Sequence, residues 1–238
     1  WNPRAVLPAL FLLRCVYRAD RLEKEPPRLL ASLVFSGILA TFAALIAEQL
    51  GEAVLGMLLP AYSTAYNALL YFVVVALSEE GFKYLLLKKR TWRSPDFNCQ
   101  FDGVVYAVFV SLGFALWENI SYVAMYGLGT AAVRAVTAVP GHACFGVFMG
   151  AFYGLARRYA NFGDWGKDRQ CRLAVAVPVV LHGAYDFIAT LEFDGYAWIF
   201  VVFVAALFLA AYRMIKRLSR DDRFIDGDGY YRYNGPEL

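Results

Sequence analysis

Residues 66–87 read "YNALLYFVVVALSEEGFKYLLL". The run is apolar over a length that, wound as a helix, crosses the hydrocarbon core of a bilayer, which takes about 20 residues. Yet Glu79, Glu80 and Lys83 stand inside it. One ionised side chain near the bilayer centre costs roughly 2.5–3.5 kcal/mol even on the lenient insertion scales. Three of them close together imply a helix whose charged side faces a polar protein interior and not lipid.

The rest of the chain repeats the pattern. Of 238 residues, 60% are hydrophobic, 17% aromatic and only 18% charged. The apolar residues fall into blocks at 29–48, 62–87, 101–125, 134–156, 173–190 and 196–212. Each is close to the roughly 17–25 residues of a membrane-spanning helix. The expected fold is therefore all-α: a polytopic membrane protein built as a bundle of about six transmembrane helices. Its divisions are an N-terminal apolar segment and loop over 1–28, a transmembrane core over 29–213 and a tail over 214–238. The segment 6–16 is short and carries Arg14, which suits a helix lying in the interface or the remnant of a further span.

Net charge is +3, and its placement matters more than its size. Arg18, Arg21, Lys24 and Arg28 precede the first block; Lys88, Lys89, Arg90 and Arg93 follow the second. Arg157, Arg158, Lys167, Arg169 and Arg172 lie between the fourth and fifth, and another basic group follows the sixth from Arg213 onward. The alternate connections 49–61, 126–133 and 191–195 hold no Lys or Arg. Basic loops stay cytoplasmic, so both ends of the six-span unit are expected in the cytoplasm. The basic residues serve orientation and give no sign of a nucleic-acid partner. Cys15, Cys99, Cys144 and Cys171 are scattered, which fits neither a disulfide framework nor a cysteine zinc site. In the tail, Asp226, Asp228 and Glu237 have a calcium-loop spacing, but Tyr230 and Tyr231 occupy positions that such a loop needs for a ligand and a glycine.

Both histidines of the chain lie inside apolar blocks: His142 in "VPGHACFG" and His182 in "VLHGAYDF". Glu118 in "GFALWENISY" and Asp186 are further ionisable groups in apolar surroundings. Counting along each span from its basic-free end puts Glu118, His142 and His182 roughly 10–12 Å below the surface of the core. Three residues of metal-ligand type on three helices thus share one level. His182 and Asp186, four apart, share a helix face, so the aspartate can join the site or orient the imidazole. The same count sets Glu79 and Glu80 deeper. Adjacent side chains diverge by about 100°, so one glutamate is expected at the polar centre and the other paired with Lys83 or holding a neighbouring helix. Asp102, at the start of the third block, is expected to cap backbone donors.

Two histidines and a carboxylate are a light-atom ligand set for zinc with a position left for water. A neighbouring glutamate can serve as general base toward that water. Neither an H-E-x-x-H nor a G-x-S-x-G motif is present. The reading is an intramembrane endopeptidase, a hydrolase with metallopeptidase chemistry: Glu118, His142 and His182 hold zinc, Glu79 or Glu80 activates water, Asp186 is a fourth ligand or orienter, and Lys83 balances charge. Two alternatives remain open: a metal-independent glutamate protease, and an ion or proton transporter with a buried acid and histidine relay.

The segments "EEGFK" (Glu79 to Lys83), "FALWE" (Phe114 to Glu118) and "HGAYD" (His182 to Asp186) match E-E-x-x-K, F-x-x-x-E and H-x-x-x-D. With "PGHACFGVFMGAFYG" between the last two, the chain resembles the PrsW family of bacterial intramembrane proteases over about residues 70–190. That family is a distant relative of the CAAX prenyl endopeptidases and of bacteriocin-processing proteins. The resemblance implies site-1 cleavage of a single-span anti-sigma factor on its extracytoplasmic side, in a stress response. It also implies presumed metal dependence, although a metal-free, glutamate-activated water has been argued for the CAAX relatives. The glycine-containing stretch 126–134 is where an outer gate is expected.

Overall fold

The structure, a computed structural model, describes residues 6–163, 165–191 and 195–225. The described residues form helices α1 (Leu7–Ala19), α2 (Pro27–Leu58), α3 (Thr64–Leu69), α4 (Ala76–Thr91), α5 (Asp102–Tyr126), α6 (Leu128–Val136), α7 (Ala138–Asn161), α8 (Gly166–Ala189) and α9 (Tyr196–Arg220). Between α3 and α4 the chain stays helical but widens into a π stretch, Leu70–Val75. Among the described residues there is no strand, only an isolated antiparallel bridge between Cys99 and Phe224. The all-α polytopic fold is as expected. Among the described residues, five helical runs are long and apolar enough to cross a membrane: α2, α5, Ala132–Asn161, α8 and α9. The sixth expected span is the α3–π–α4 run, whose charges keep it below that measure of apolarity.

Several boundaries differ from expectation, with α8 starting at Gly166 and not 173 and α9 running to Arg220 and not 212. Helix α2 does not end at Glu48 but continues to Leu58, because no helix breaker occurs before Pro60 and acidic residues do not by themselves stop a helix. The fourth block divides into α6 and α7 at Thr137, whose φ of −120° and ψ of −74° leave the helical region. Helix α1 packs against α5, α7 and α9, burying Ala9 and Val16. Its 13 residues cover about 20 Å, short of a full span. The calcium-like spacing at 226–237 lies outside the described residues.

Helix α5 is the axis of the bundle: every residue from Asp102 to Ala115 is buried. It is hydrophobic all round, as a helix enclosed by others must be. Glycines set how closely its neighbours approach. A Cβ at Gly37 of α2 would collide with the Val110 carbonyl oxygen, and one at Gly113 with the Val34 carbonyl. On the other side Gly103 of α5 and Gly150 of α7 oppose each other, so either Cβ would meet the other helix's backbone. Small residues that allow backbone contact are the usual means of packing helices in lipid, where apolar surface alone gives no preference for protein. At the arginine-rich end the segment after α9 docks beside the start of α5: Gln100 N donates to the Arg223 carbonyl (3.0 Å) and Ile225 N to the Asn98 carbonyl (2.8 Å).

Candidate active site

Four helices deliver the polar residues to one place. Helix α4 supplies Glu79, Glu80 and Lys83, α5 supplies Glu118, α7 supplies His142 and α8 supplies His182 and Asp186. Two local features precede these residues in the chain. The π stretch, a form often found near functional sites, ends four residues before Glu79 and lies against Gly183 of α8 through Phe72. In α8, Pro178 sits one turn before His182, where its missing N–H leaves a gap in the helical ladder.

Lys83 is the hub. Its ammonium is fully enclosed and donates to Glu80 Oε1 (2.7 Å) and Glu79 Oε2 (3.1 Å), while facing His142 Nδ1 at 3.1 Å and the Phe114 ring at 3.9 Å. The expectation that only one of the two glutamates meets Lys83 is not met. Although adjacent, they stand four and three residues before the lysine, and both of those positions flank it on the helix surface. Nor are the glutamates deeper than the histidines. Glu80 Oε1 lies 3.0 Å and Glu79 Oε2 3.9 Å from His182 Nδ1. The depth count assumed a uniform α-helical rise from residue 62, whereas the helix starts at Thr64 and includes the π stretch.

The two imidazoles are held alike. Each turns Nδ1 toward the glutamates and the lysine of α4, and each has Nε2 against a carboxylate outside that cluster. His142 Nε2 is 2.9 Å from Glu118 Oε2, and His182 Nε2 is 3.3 Å from Asp186 Oδ2. Carboxylate–histidine pairs of this kind fix ring orientation and tautomer. The rings meet edge to face, with centroids 5.2 Å apart. Glu79, Glu80, His142 and His182 each offer a ligand atom, all within 4.8 Å of one another and all buried. Glu118 is not among these four; its carboxylate lies against His142 Nε2, on the cavity side.

A cavity of about 660 Å³ opens against this cluster. Glu48, Glu79, Glu118, His142, His182 and Asp186 supply its charged and imidazole lining, with Arg134 at one wall. Glu80 and Lys83 lie behind that wall and do not line it. The sequence reading missed two residues here. Glu48 was read as the end of a span; the only signal was an acid between apolar turns. Arg134 was read as the start of a span, but its Nη2 lies 2.8 Å from Glu118 Oε2 and its guanidinium covers the Tyr122 ring at 3.9 Å. Asp102 accepts hydrogen bonds from Asn98 N (3.0 Å) and Cys99 N (2.6 Å). It therefore caps backbone donors as expected, though those of the turn before α5.

A polytopic helical bundle with a buried acid–histidine–lysine cluster on a cavity wall defines a membrane protein with an intramembrane polar site. Residues 25–211 match the family described as "PrsW family intramembrane metalloprotease", and the chain belongs to it. It is 31% identical to Protease PrsW of Oceanobacillus iheyensis over 91% of this chain and 94% of that one. It is equally identical to the proteins of that name from Bacillus subtilis, over 86% and 88% of the two chains, and Clostridioides difficile, over 85% and 84%. No solved structure matches.

Proposed function

We propose that this chain is an endopeptidase that hydrolyses a peptide bond of a membrane-anchored protein inside the bilayer, with Glu79 as the general base. The observation that carries the assignment is the division of labour between the two glutamates. Both accept from Lys83, but Glu79 lines the cavity, whereas Glu80 is completely enclosed and also bound to His182. A base must reach both water and substrate, and of the two glutamates Glu79 is the one that faces the cavity. In this reading Glu79 accepts a proton from a cavity water as the water oxygen adds to the scissile carbonyl carbon. It returns that proton to the departing amide nitrogen when the carbon–nitrogen bond breaks. Glu80 holds Lys83 and His182 in place, Asp186 and Glu118 orient the imidazoles, and Lys83 neutralises the two acids.

The donors present fit a metal: two imidazole nitrogens and two carboxylates converge, and Glu80 Oε2 is buried without a hydrogen-bond partner. His142, His182 and Glu80 would hold it, with Glu118 and Asp186 behind the rings. A bound zinc ion there supplies Lewis-acid polarisation of the carbonyl and makes the attacking water more acidic. A second reading is favoured by Lys83, whose ammonium already occupies the centre of these donors. There Glu79 works without a metal, and the histidines donate to the oxyanion.

The substrate we favour is a single-span protein of the anti-sigma-factor type, cut first in a stress response. Family membership and the placement of the site toward the end of the bundle whose loops lack basic residues support this. The two basic-rich termini would then lie in the cytoplasm of a bacterial cell.

Two measurements test these assignments. Cleavage of a tagged single-span substrate is expected to fall at least about a hundredfold for Glu79→Gln, the scale of a lost general base; unchanged cleavage refutes the base. Metal content of detergent-purified protein separates the two readings. Near-stoichiometric zinc that is lost in His182→Ala supports the metal-dependent one, and active protein without metal supports the other.

A further inference from the structure

A second buried cluster lies at the other end of the bundle. Asp102 is sixteen positions before Glu118 on α5, which puts it about 24 Å away. Around it stand Asp20 and Glu25 from the connection between α1 and α2. Asp20, Glu25 and Asp102 are 1%, 4% and 1% exposed, and each offers a carboxylate oxygen within 4.8 Å of the others. Glu25 and Asp102 are in side-chain contact. Asp222, in the segment after α9, approaches from a third side, with Oδ1 accepting from the Phe101 N–H at 2.9 Å.

Three of these acids are partly provided for: Tyr106 donates to Glu25 Oε2, two backbone N–H groups donate to Asp102, and Phe101 and Arg223 N–H groups donate to Asp222 Oδ1. Asp20 is not. Both of its carboxylate oxygens are buried with no hydrogen-bond partner, as is Asp222 Oδ2. The neighbouring ammonium, Lys24 Nζ, is spent on the backbone carbonyls of Tyr17 and Asp20 and not on the carboxylate. A buried carboxylate with no hydrogen-bond donor, its one nearby ammonium turned to backbone carbonyls, is a large cost in a fold that otherwise satisfies such groups. An oxygen-only donor set with several negative charges and no histidine or cysteine ligand selects hard cations and disfavours zinc.

We propose that Asp20, Glu25 and Asp102, with Asp222 beside them, form a site for a hard divalent cation of the magnesium or calcium class. The cation ties the α1–α2 connection and the segment after α9 to the start of α5, and so fixes the end of the bundle opposite the cavity. It plays no part in peptide hydrolysis. The proposal is independent of how the candidate active site works.

The test uses the full chain in detergent, stripped with chelator and carrying His182→Ala so that the histidine cluster does not contribute. Equilibrium binding of magnesium and of calcium is measured in that background with and without Asp20→Asn, together with the melting temperature in chelator and in excess cation. One saturable equivalent of either metal is expected in the parent, with a raised melting temperature. Asp20→Asn should weaken binding at least about tenfold, since losing even a residue behind a ligand costs that much. Because the Asp20 carboxylate makes no bond that asparagine would lose, the variant should melt higher than its parent in chelator and lower in excess cation. Glu25→Gln repeats the comparison should Asp20→Asn not fold. Absence of saturable binding overturns the proposal, as does binding that Asp20→Asn and Glu25→Gln leave unchanged. Two-fold differences between magnesium and calcium affinity decide only which cation is held.

Discussion

Lys83 shows how a single side chain makes the charges in an apolar run tolerable. Its ammonium is the shared partner of Glu79 and Glu80 and faces His142 and the Phe114 ring, with no part of it exposed. Replacing a buried ion pair by well-packed apolar groups is often neutral, but removing one member leaves an uncompensated charge and costs about 3–5 kcal/mol. Lys83→Met is therefore expected to lower stability by that order, read as a loss of melting temperature in detergent. Adding Glu80→Gln to Lys83→Met should recover part of the loss, because the residues form one network and their effects do not add. Simple additivity of the two losses would show that Lys83 is held by its hydrocarbon stem and not by the acids. The motif residues Glu79, Glu80, Lys83, Glu118, His142, His182 and Asp186 were legible as single polar letters in apolar blocks. Pairs along one helix were also legible from spacing, as for Lys83 with a glutamate and His182 with Asp186; pairing between helices was not. Which nitrogen of each imidazole turns to which carboxylate depends on helix rotation, and the π stretch and Pro178 both alter rotation without leaving a clear periodic signal.

At the scale of elements, the helices were legible wherever apolar residues ran for the length of a span, which is why α5, α7, α8 and α9 fall near their expected positions. Boundaries set by single residues were not, as the extension of α2 beyond Glu48 and the break at Thr137 show. Packing between helices was also hidden, because glycine in a membrane helix looks the same whether it faces lipid or a neighbour. Gly150 opposes the Gly103 carbonyl and Val104 backbone, whereas nothing lies within 4 Å of where a Cβ on Gly56 would be. The same substitution should thus have opposite signs at the two sites. Gly150→Ala is expected to cost about 1–3 kcal/mol by pushing α7 from α5. Gly56→Ala should be neutral or stabilising by up to about 1 kcal/mol, the helix preference for alanine. Thermal unfolding of the two variants side by side checks this; a loss of equal size in both would mean that the α5–α7 crossing yields easily.

For the whole molecule, the acids at the arginine-rich end predict a dependence of stability on pH. Burial, the largest cause, together with neighbouring acids, raises Asp20 from 3.8 to about 6 and Glu25 from 4.5 to about 7, and burial raises Asp222 from 3.8 to about 6. Lys24 opposes the shift at Asp20 and the Tyr106 hydroxyl opposes it at Glu25; Glu23 and Asp96 add to the repulsion, while Arg223 relieves Asp222. With folded values above unfolded ones, the folded state binds more protons between pH 4 and 7, so stability falls as pH rises through that window. In chelator, the detergent-solubilised protein should lose melting temperature from about pH 4 to about pH 7. The slope should be shallower in Asp20→Asn, since that substitution removes a titrating group and leaves the cavity-side histidines untouched. Excess magnesium or calcium should flatten it in the parent as well, because a cation that binds the ionised acids replaces the protons that otherwise neutralise them. A slope that excess cation leaves unchanged, in a parent that still differs from Asp20→Asn, would mean that these carboxylates share protons alone.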